Sequence, residues 1–196
     1  EIQQFVLNPL ASGEVVLTEQ ERQMGVAVCD IDSGRMSEAA KKVEEARGKR
    51  PDETGDFRKI IERKDIDAVL VATPDHTHSV ATMAALKAGK HVYCEKPLTH
   101  SVWEAQQVIE TARKQRRFTQ MGTQMHATSH YRRVVELVQS GAVGKIDLVY
   151  VWCPTIFSGG DRPKESSPVP EGLDWDLWLG PAPERPYADK AYVPGI

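Results

Sequence analysis

Asp67-Ala68-Val69-Leu70-Val71-Ala72 is a short apolar run; the turn Thr73-Pro74, a helix-patterned stretch from His78 to Ala88 closed by Gly89, and a second apolar run, His91-Val92-Tyr93-Cys94, follow it. Continuous apolar runs of this length read as strands buried on both faces. A helix between two such strands predicts a right-handed crossover and a parallel sheet. Gly89 suits the left-handed residue that ends a helix.

The alternation extends in both directions. Gly25-Val26-Ala27-Val28-Cys29-Asp30 reads as a buried strand ending in an acid. Ser33 is placed to cap a helix running to about Arg47, in which Met36, Ala39, Ala40 and Val43 recur at helical spacing. Residues 49–55 read as turn-rich, and a short helix is expected over 56–63. Further on, Ser101 to Arg116 predicts a helix, Phe118 to Gly122 a strand and Thr128 to Gln139 a helix. Together these predict an α/β fold: a Rossmann-like parallel sheet with helices on both faces, over residues 1–143.

Composition changes near Gly144. Ile146 to Cys153 reads as the first strand of a second, α+β domain over 144–196, whose remainder is expected beyond Ile196. Within it, Asp174-Trp175-Asp176-Leu177-Trp178-Leu179-Gly180-Pro181 reads as an aromatic anchor on a neighbouring surface, or as a partner site.

The chain has 196 residues and a net charge of −3, which gives no electrostatic footprint for nucleic acid. The basic cluster Arg113-Lys114-Gln115-Arg116-Arg117 is a solvated helix end on this reading. No run approaches the roughly 20 apolar residues that span a bilayer. Cys29, Cys94 and Cys153 are an odd number without close pairing, so buried free thiols are expected, with a nucleophilic Cys94 beside Lys96 as the alternative. His76 and His78 have no carboxylate or cysteine at a ligand spacing, and no metal is predicted. The opening Glu1-Ile2-Gln3-Gln4 lacks a basic region and an apolar signal core, which predicts a cytoplasmic protein; a leader removed upstream would place it in the periplasm or outside the cell.

Glu95-Lys96-Pro97 stands directly after the second quoted strand. Ligands of open α/β sheets bind at the carboxyl ends of the strands, which makes this acid, base and rigid turn a candidate reaction centre. The competing reading is a surface ion pair followed by a strand stop.

Three ordered motifs now carry a resemblance. They are Val69-Leu70-Val71-Ala72-Thr73-Pro74-Asp75-His76-Thr77-His78, Gly89-Lys90-His91-Val92-Tyr93-Cys94-Glu95-Lys96-Pro97-Leu98 and Ser140-Gly141-Ala142-Val143-Gly144-Lys145-Ile146. In this order the chain resembles the Gfo/Idh/MocA family of nicotinamide-dependent oxidoreductases. Leu173 to Pro183 with Arg185-Pro186-Tyr187 is similar to a bacterial subgroup of that family often described as secreted.

The resemblance implies hydride transfer between a nicotinamide cofactor and a secondary alcohol of a sugar, cyclitol or related polyol, by a homo-oligomer. It implies that Asp30 accepts the adenosine ribose hydroxyls and repels a 2′-phosphate, which favours NAD; Arg35 is the residue that would instead admit NADP. Asp32 is expected in a turn or helix cap. Thr73, Pro74 and His78 belong to the turn and helix start that border the nicotinamide and its ribose. Glu95 is implied to meet a cofactor ribose, Pro97 to fix the turn, and Lys96 to bind the substrate hydroxyl and support catalysis. Gln124 and His126 are substrate-side candidates, at a place where many relatives carry glutamine followed closely by arginine; His126 as a capping or solvent-facing residue is the alternative.

Two departures accompany the resemblance. The glycine-rich turn for a pyrophosphate is expected before Gly25, yet residues 1–24 contain only Gly13, and Ile2 to Leu7 reads as part of a first helix whose preceding strand is missing. The later acid and histidine of the family's substrate domain are not reached by Ile196. A catalytically incompetent fragment, or a binding relative of the same fold, is therefore the competing expectation.

Overall fold

The computed structural model describes residues 5–7, 25–152 and 165–188. Six parallel strands form one sheet in the order β3-β2-β1-β4-β5-β6. They are β1 (Phe5–Leu7), β2 (Gly25–Cys29), β3 (Asp52–Thr54), β4 (Ala68–Val71), β5 (His91–Glu95) and β6 (Thr119–Gly122). The helices are α1 (Ser33–Arg47), α2 (Phe57–Ile61), α3 (His78–Lys87), α4 (Val102–Gln115), α5 (Ser129–Gln139) and α6 (Trp175–Leu179). This is a doubly wound, Rossmann-like sheet, whose strand order reverses between β1 and β4.

Two strands depart from the expectations. Phe5–Leu7 is strand and not helix: it lies between β2 and β4 and pairs in parallel with both. A run so short carries no period of its own, and its neighbours in the sheet decide its form. β3 lies in the stretch that reads as turn. Its three residues pair with Ala27, Val28 and Cys29 of β2, and an exposed edge strand needs no apolar alternation to announce it.

Successive side chains of a strand point to opposite faces, and the core divides accordingly. Val69 and Val71 of β4 pack with Ile60 of α2, Ala81, Ala85 and Leu86 of α3, and Val108 and Ala112 of α4. Leu70 and Ala72 point the other way, to Ala39, Ala40 and Val43 of α1. Small residues at those helix positions let the helices lie close to the sheet.

The caps explain where the helices start. Asp32, not Ser33, caps α1, its carboxylate accepting from the Arg35 amide at 2.9 Å. Ser101 and Glu104 form a reciprocal capping box at α4. Glu104 also accepts from the Ser79 hydroxyl at 2.9 Å and so ties α4 to α3. At the opposite edge of the sheet, Lys90 is buried with its ammonium donating to the carbonyls of Arg63 and Ile66.

The chain divides into two compact units, residues 1–122 with 165–196, and residues 123–164, whereas the sequence places its boundary at 143/144. The segment 165–188 belongs with the sheet because it pairs there: Leu173 forms an antiparallel bridge to Asp32, the Ser33 amide donates to the Gly172 carbonyl, and the Asp174 amide donates to the Ile31 carbonyl. In the second unit, α5 buries no residue, and Tyr131, Val134, Val135 and Val138 are exposed. Of the strand expected over Ile146 to Cys153, residues 146–152 have no strand pairing among the described residues, and Cys153 lies outside them. No helix among the described residues is long and apolar enough to cross a membrane.

Candidate functional site

The carboxyl ends of β2, β4 and β5 bring together most of the residues singled out in the sequence. Asp30 follows β2 and is buried, with one carboxylate oxygen accepting from the Asp32 amide at 2.8 Å. Burial pushes its pKa up to about 6, against the lowering effects of the Asp32 amide and the Arg35 charge. An acid poised near neutrality accepts hydroxyl hydrogen bonds in its ionised form and resists a second negative charge.

Thr73 and Pro74 follow β4. The Thr73 hydroxyl oxygen is buried without a hydrogen-bond partner, although buried polar atoms are nearly always paired. Its carbonyl meets the Nε2 of His78 at 2.6 Å. The other ring nitrogen of His78, Nδ1, lies 2.6 Å from the carbonyl of Pro97, and the residue is almost wholly enclosed. His78 thus joins the turn after β4 to the turn after β5.

Glu95 ends β5 and is half-buried, and Lys96 and Pro97 after it are exposed. The Lys96–Pro97 peptide is cis. Glu95 stands in register opposite Gly122 of β6.

Gln124 and His126 belong to the second unit, on a 3-10 turn (Gln124–Ala127) that leads into α5. His126 is exposed and stacks on Tyr131, with ring centroids 5.1 Å apart. Thr128 beside it caps α5.

Cys94 is buried, and its thiol is pushed up to about 11 by burial; Cys29 is pushed up to about 12 for the same reason. Burial of both thiols disfavours the thiolate that a nucleophilic role needs. No group of three or more potential metal ligands occurs among the described residues.

One further element lies at these strand ends, and the sequence reads it as an aromatic anchor or a partner site. Between its pairing with Ile31–Ser33 after β2 and the contact of the Trp178 carbonyl with His76 Nε2 (2.8 Å) after β4, the segment 172–178 spans the edge where β1 lies between those strands. Trp175 stacks on Trp178 at 4.8 Å, meets Tyr187 edge-on, and donates its indole N–H to the Arg185 carbonyl. The tryptophan pair was the available signal. Its destination was not readable, because the partners lie about a hundred residues earlier in the chain.

A dinucleotide fits this donor set at its two ribose ends: Asp30 on one side, and the unpartnered Thr73 hydroxyl with Glu95 on the other. The turn that would meet the pyrophosphate falls in residues 8–24, outside the described residues; its sequence after β1 is Asn8-Pro9-Leu10-Ala11-Ser12-Gly13.

The comparisons with known proteins agree with the architecture. The profile of the Gfo/Idh/MocA family, described as "Oxidoreductase family, NAD-binding Rossmann fold", matches residues 11–123. An inositol 2-dehydrogenase of Salmonella paratyphi B is 33% identical over 127 residues, 64% of this chain and 36% of that protein. An inositol 2-dehydrogenase 3 of Saccharopolyspora erythraea is 37% identical over 120 residues, 61% of this chain and 34% of that protein. The crystal structure of scyllo-inositol dehydrogenase from Lactobacillus casei, with bound NAD(H) and scyllo-inositol, superposes with a TM-score of 0.54 at 25% identity, over 60% of this chain and 34% of that one. The chain spans about a third of the length of the curated relatives it matches. With well over half of its residues under the family profile and the doubly wound sheet beneath them, this chain belongs to the Gfo/Idh/MocA family of NAD-binding oxidoreductases.

Proposed function

We propose that this chain is the cofactor-binding part of an NAD-dependent oxidoreductase acting on a secondary alcohol of a sugar, cyclitol or related polyol. The observation that carries the reading is the convergence of Asp30, Thr73 and Glu95-Lys96-Pro97 on one edge of the sheet, with the Thr73 hydroxyl unpartnered and Lys96 open to solvent. The names of the relatives supply the substrate class.

In this reading NAD, when bound, supplies the hydride acceptor. Asp30 accepts from the adenosine ribose hydroxyls, and the enclosed position of its carboxylate disfavours a 2′-phosphate there. Glu95 and the Thr73 hydroxyl hold the second ribose, and Pro74 and Pro97 stiffen the two turns. Lys96 Nζ, as the free amine, accepts the proton of the substrate hydroxyl when the carbinol carbon gives up its hydride, and the ammonium so formed releases a proton to the solvent that bathes the side chain.

A second reading has one observation in its favour. β1 is in place, and the residues after it offer Pro9, which has no N–H, and only one glycine, where a pyrophosphate needs closely approaching amides. A fold relative that binds without chemistry has such a turn.

Calorimetric titration of NAD into the 196-residue chain, repeated with Asp30→Ala, separates the two. Saturable binding that Asp30→Ala weakens tenfold or more supports the first; absence of heat from a folded chain supports the second. Lys96→Ala is expected to leave NAD affinity within about twofold, because its partner in this reading is the substrate.

A further inference from the structure

In the reading above, the turn after β2 holds one ribose and the turn after β4 the other, and β1 stands between those strands in the sheet. Neighbouring strands lie about 4.8 Å apart, so the turns start two spacings, about 10 Å, from one another. Past the strand ends the ladder no longer fixes that distance. Residues 172–180 reach from one turn to the other.

At the β2 end the segment joins the turn through its backbone. The Ser33 amide donates to the Gly172 carbonyl at 3.1 Å, the Asp174 amide donates to the Ile31 carbonyl at 3.0 Å, and Leu173 bridges to Asp32. Gly172 has a φ of 87°, and a Cβ on it would stand 2.5 Å from Ser33 Oγ, so nothing larger than glycine lets the two backbones meet. At the β4 end, His76 Nε2 donates to the Trp178 carbonyl at 2.8 Å, and its ring lies 5.1 Å from that of Trp178. Gly180 makes the matching close approach: its φ is 52°, and a Cβ there would stand 3.0 Å from the Thr77 methyl. Between these contacts, α6 is capped by Asp174, Leu179 is buried, and Trp175 packs on Trp178 and Tyr187. The span is braced along its length.

We infer that residues 172–180 are a spacer that sets the separation of the two ribose-binding turns, with His76 as its positioning residue on the β4 side. The inference rests on the function proposed above. The segment acts through the turns and not on the cofactor's phosphates, because its charged side chains are Asp174 and Asp176 and its sequence offers no cation to a pyrophosphate. A dinucleotide is two half-ligands on a linker of fixed reach, and it outbinds either half only while the half-sites stand at the matching distance. Loosening the spacer therefore weakens the joined ligand and spares the single half.

Calorimetric titration of NAD and of AMP into the full 196-residue chain tests this in the parent, in His76→Phe and in Gly180→Val. His76→Phe keeps a ring against Trp178 and removes the donor to its carbonyl; Gly180→Val drives a side chain against Thr77. AMP engages the Asp30 turn alone. The expected result is NAD binding weakened about fivefold or more in both variants, with AMP binding within about twofold of the parent. Where the variants differ, or Gly180→Val fails to fold, His76→Phe decides. A merely structural role moves both ligands together or neither, and either outcome overturns the inference. Tighter NAD binding in the variants overturns it too, as the mark of a segment that obstructs the cofactor, and so does a parent that takes AMP and not NAD. A parent that binds neither ligand removes the proposed function and the spacer with it, whereas NAD binding that the variants leave unchanged removes the spacer alone.

Discussion

Gly122 at the end of β6 packs against the side chain of Glu95 at the end of β5, its partner in the sheet register: a Cβ built on Gly122 would stand 2.2 Å from Glu95 Oε2 and 3.2 Å from Glu95 Cα. The absence of a side chain at 122 therefore sets where the Glu95 carboxylate rests. Gly122→Ala is expected to turn that carboxylate away, and to weaken NAD about tenfold or more if Glu95 holds a ribose, since a hydrogen bond to a charged group is worth about 1.5–3 kcal/mol. The atoms struck first are the far end of a flexible side chain, so the melting temperature should fall only slightly. An unchanged NAD affinity in the folded variant would remove Glu95 from the cofactor contacts.

Asp30 links stability to pH. Its folded-state pKa of about 6 lies above the ordinary value of 3.8, so the folded chain holds the proton more tightly than the unfolded chain. The contribution of Asp30 to stability is then fully present below about pH 4 and is lost as pH rises through about 6. Asp30→Asn keeps an acceptor for the Asp32 amide and abolishes the titration. It is expected to be more stable than the parent at pH 7 by up to about 3 kcal/mol, with the difference gone at about pH 3.5. Urea unfolding at several pH values measures this. NAD affinity should meanwhile rise between about pH 5 and pH 7 in the parent and stay flat in the variant.

The two lysines of Gly89-Lys90-His91-Val92-Tyr93-Cys94-Glu95-Lys96-Pro97 should respond oppositely to the same change. Lys90→Met strands the carbonyls of Arg63 and Ile66 and is expected to cost roughly 2–3 kcal/mol in denaturant unfolding. Lys96→Met lies in solvent and should stay within about 0.5 kcal/mol of the parent. Similar losses for both would show that Lys96 is a structural residue.

Cys29 and Cys94, held as thiols by burial, should resist alkylation by iodoacetamide at pH 7.5 in the native chain and react once urea unfolds it. Peptide mass mapping reads the two sites independently. Labelling of native Cys94 would restore it as a candidate nucleophile.

Much of the sheet was legible because its strands announce themselves locally. Val69, Leu70 and Val71 are buried on both faces, and a strand so placed must be apolar at every position. Ser101 and Glu104 carry the start of α4 in their own spacing. β1 and β3 were illegible for the converse reason: each has three residues, and pairing with a neighbour is what makes it a strand. The stretch 146–152 shows the limit from the other side, being apolar enough for a strand but without strand pairing among the described residues.

The sequence by itself determined the alternating architecture and the placement of Asp30, Thr73 and Glu95-Lys96-Pro97 at strand ends, because burial and crossover chirality leave short apolar runs between helices few other arrangements. Only the tertiary structure decided which atoms those residues meet. His78 is pinned between Thr73 and Pro97, Gly122 makes room for Glu95, and residues 172–178 cross from β2 to β4. Each of these joins groups brought together by the closing of the sheet, and contact across a fold depends on relative position in space, which local spacing does not encode.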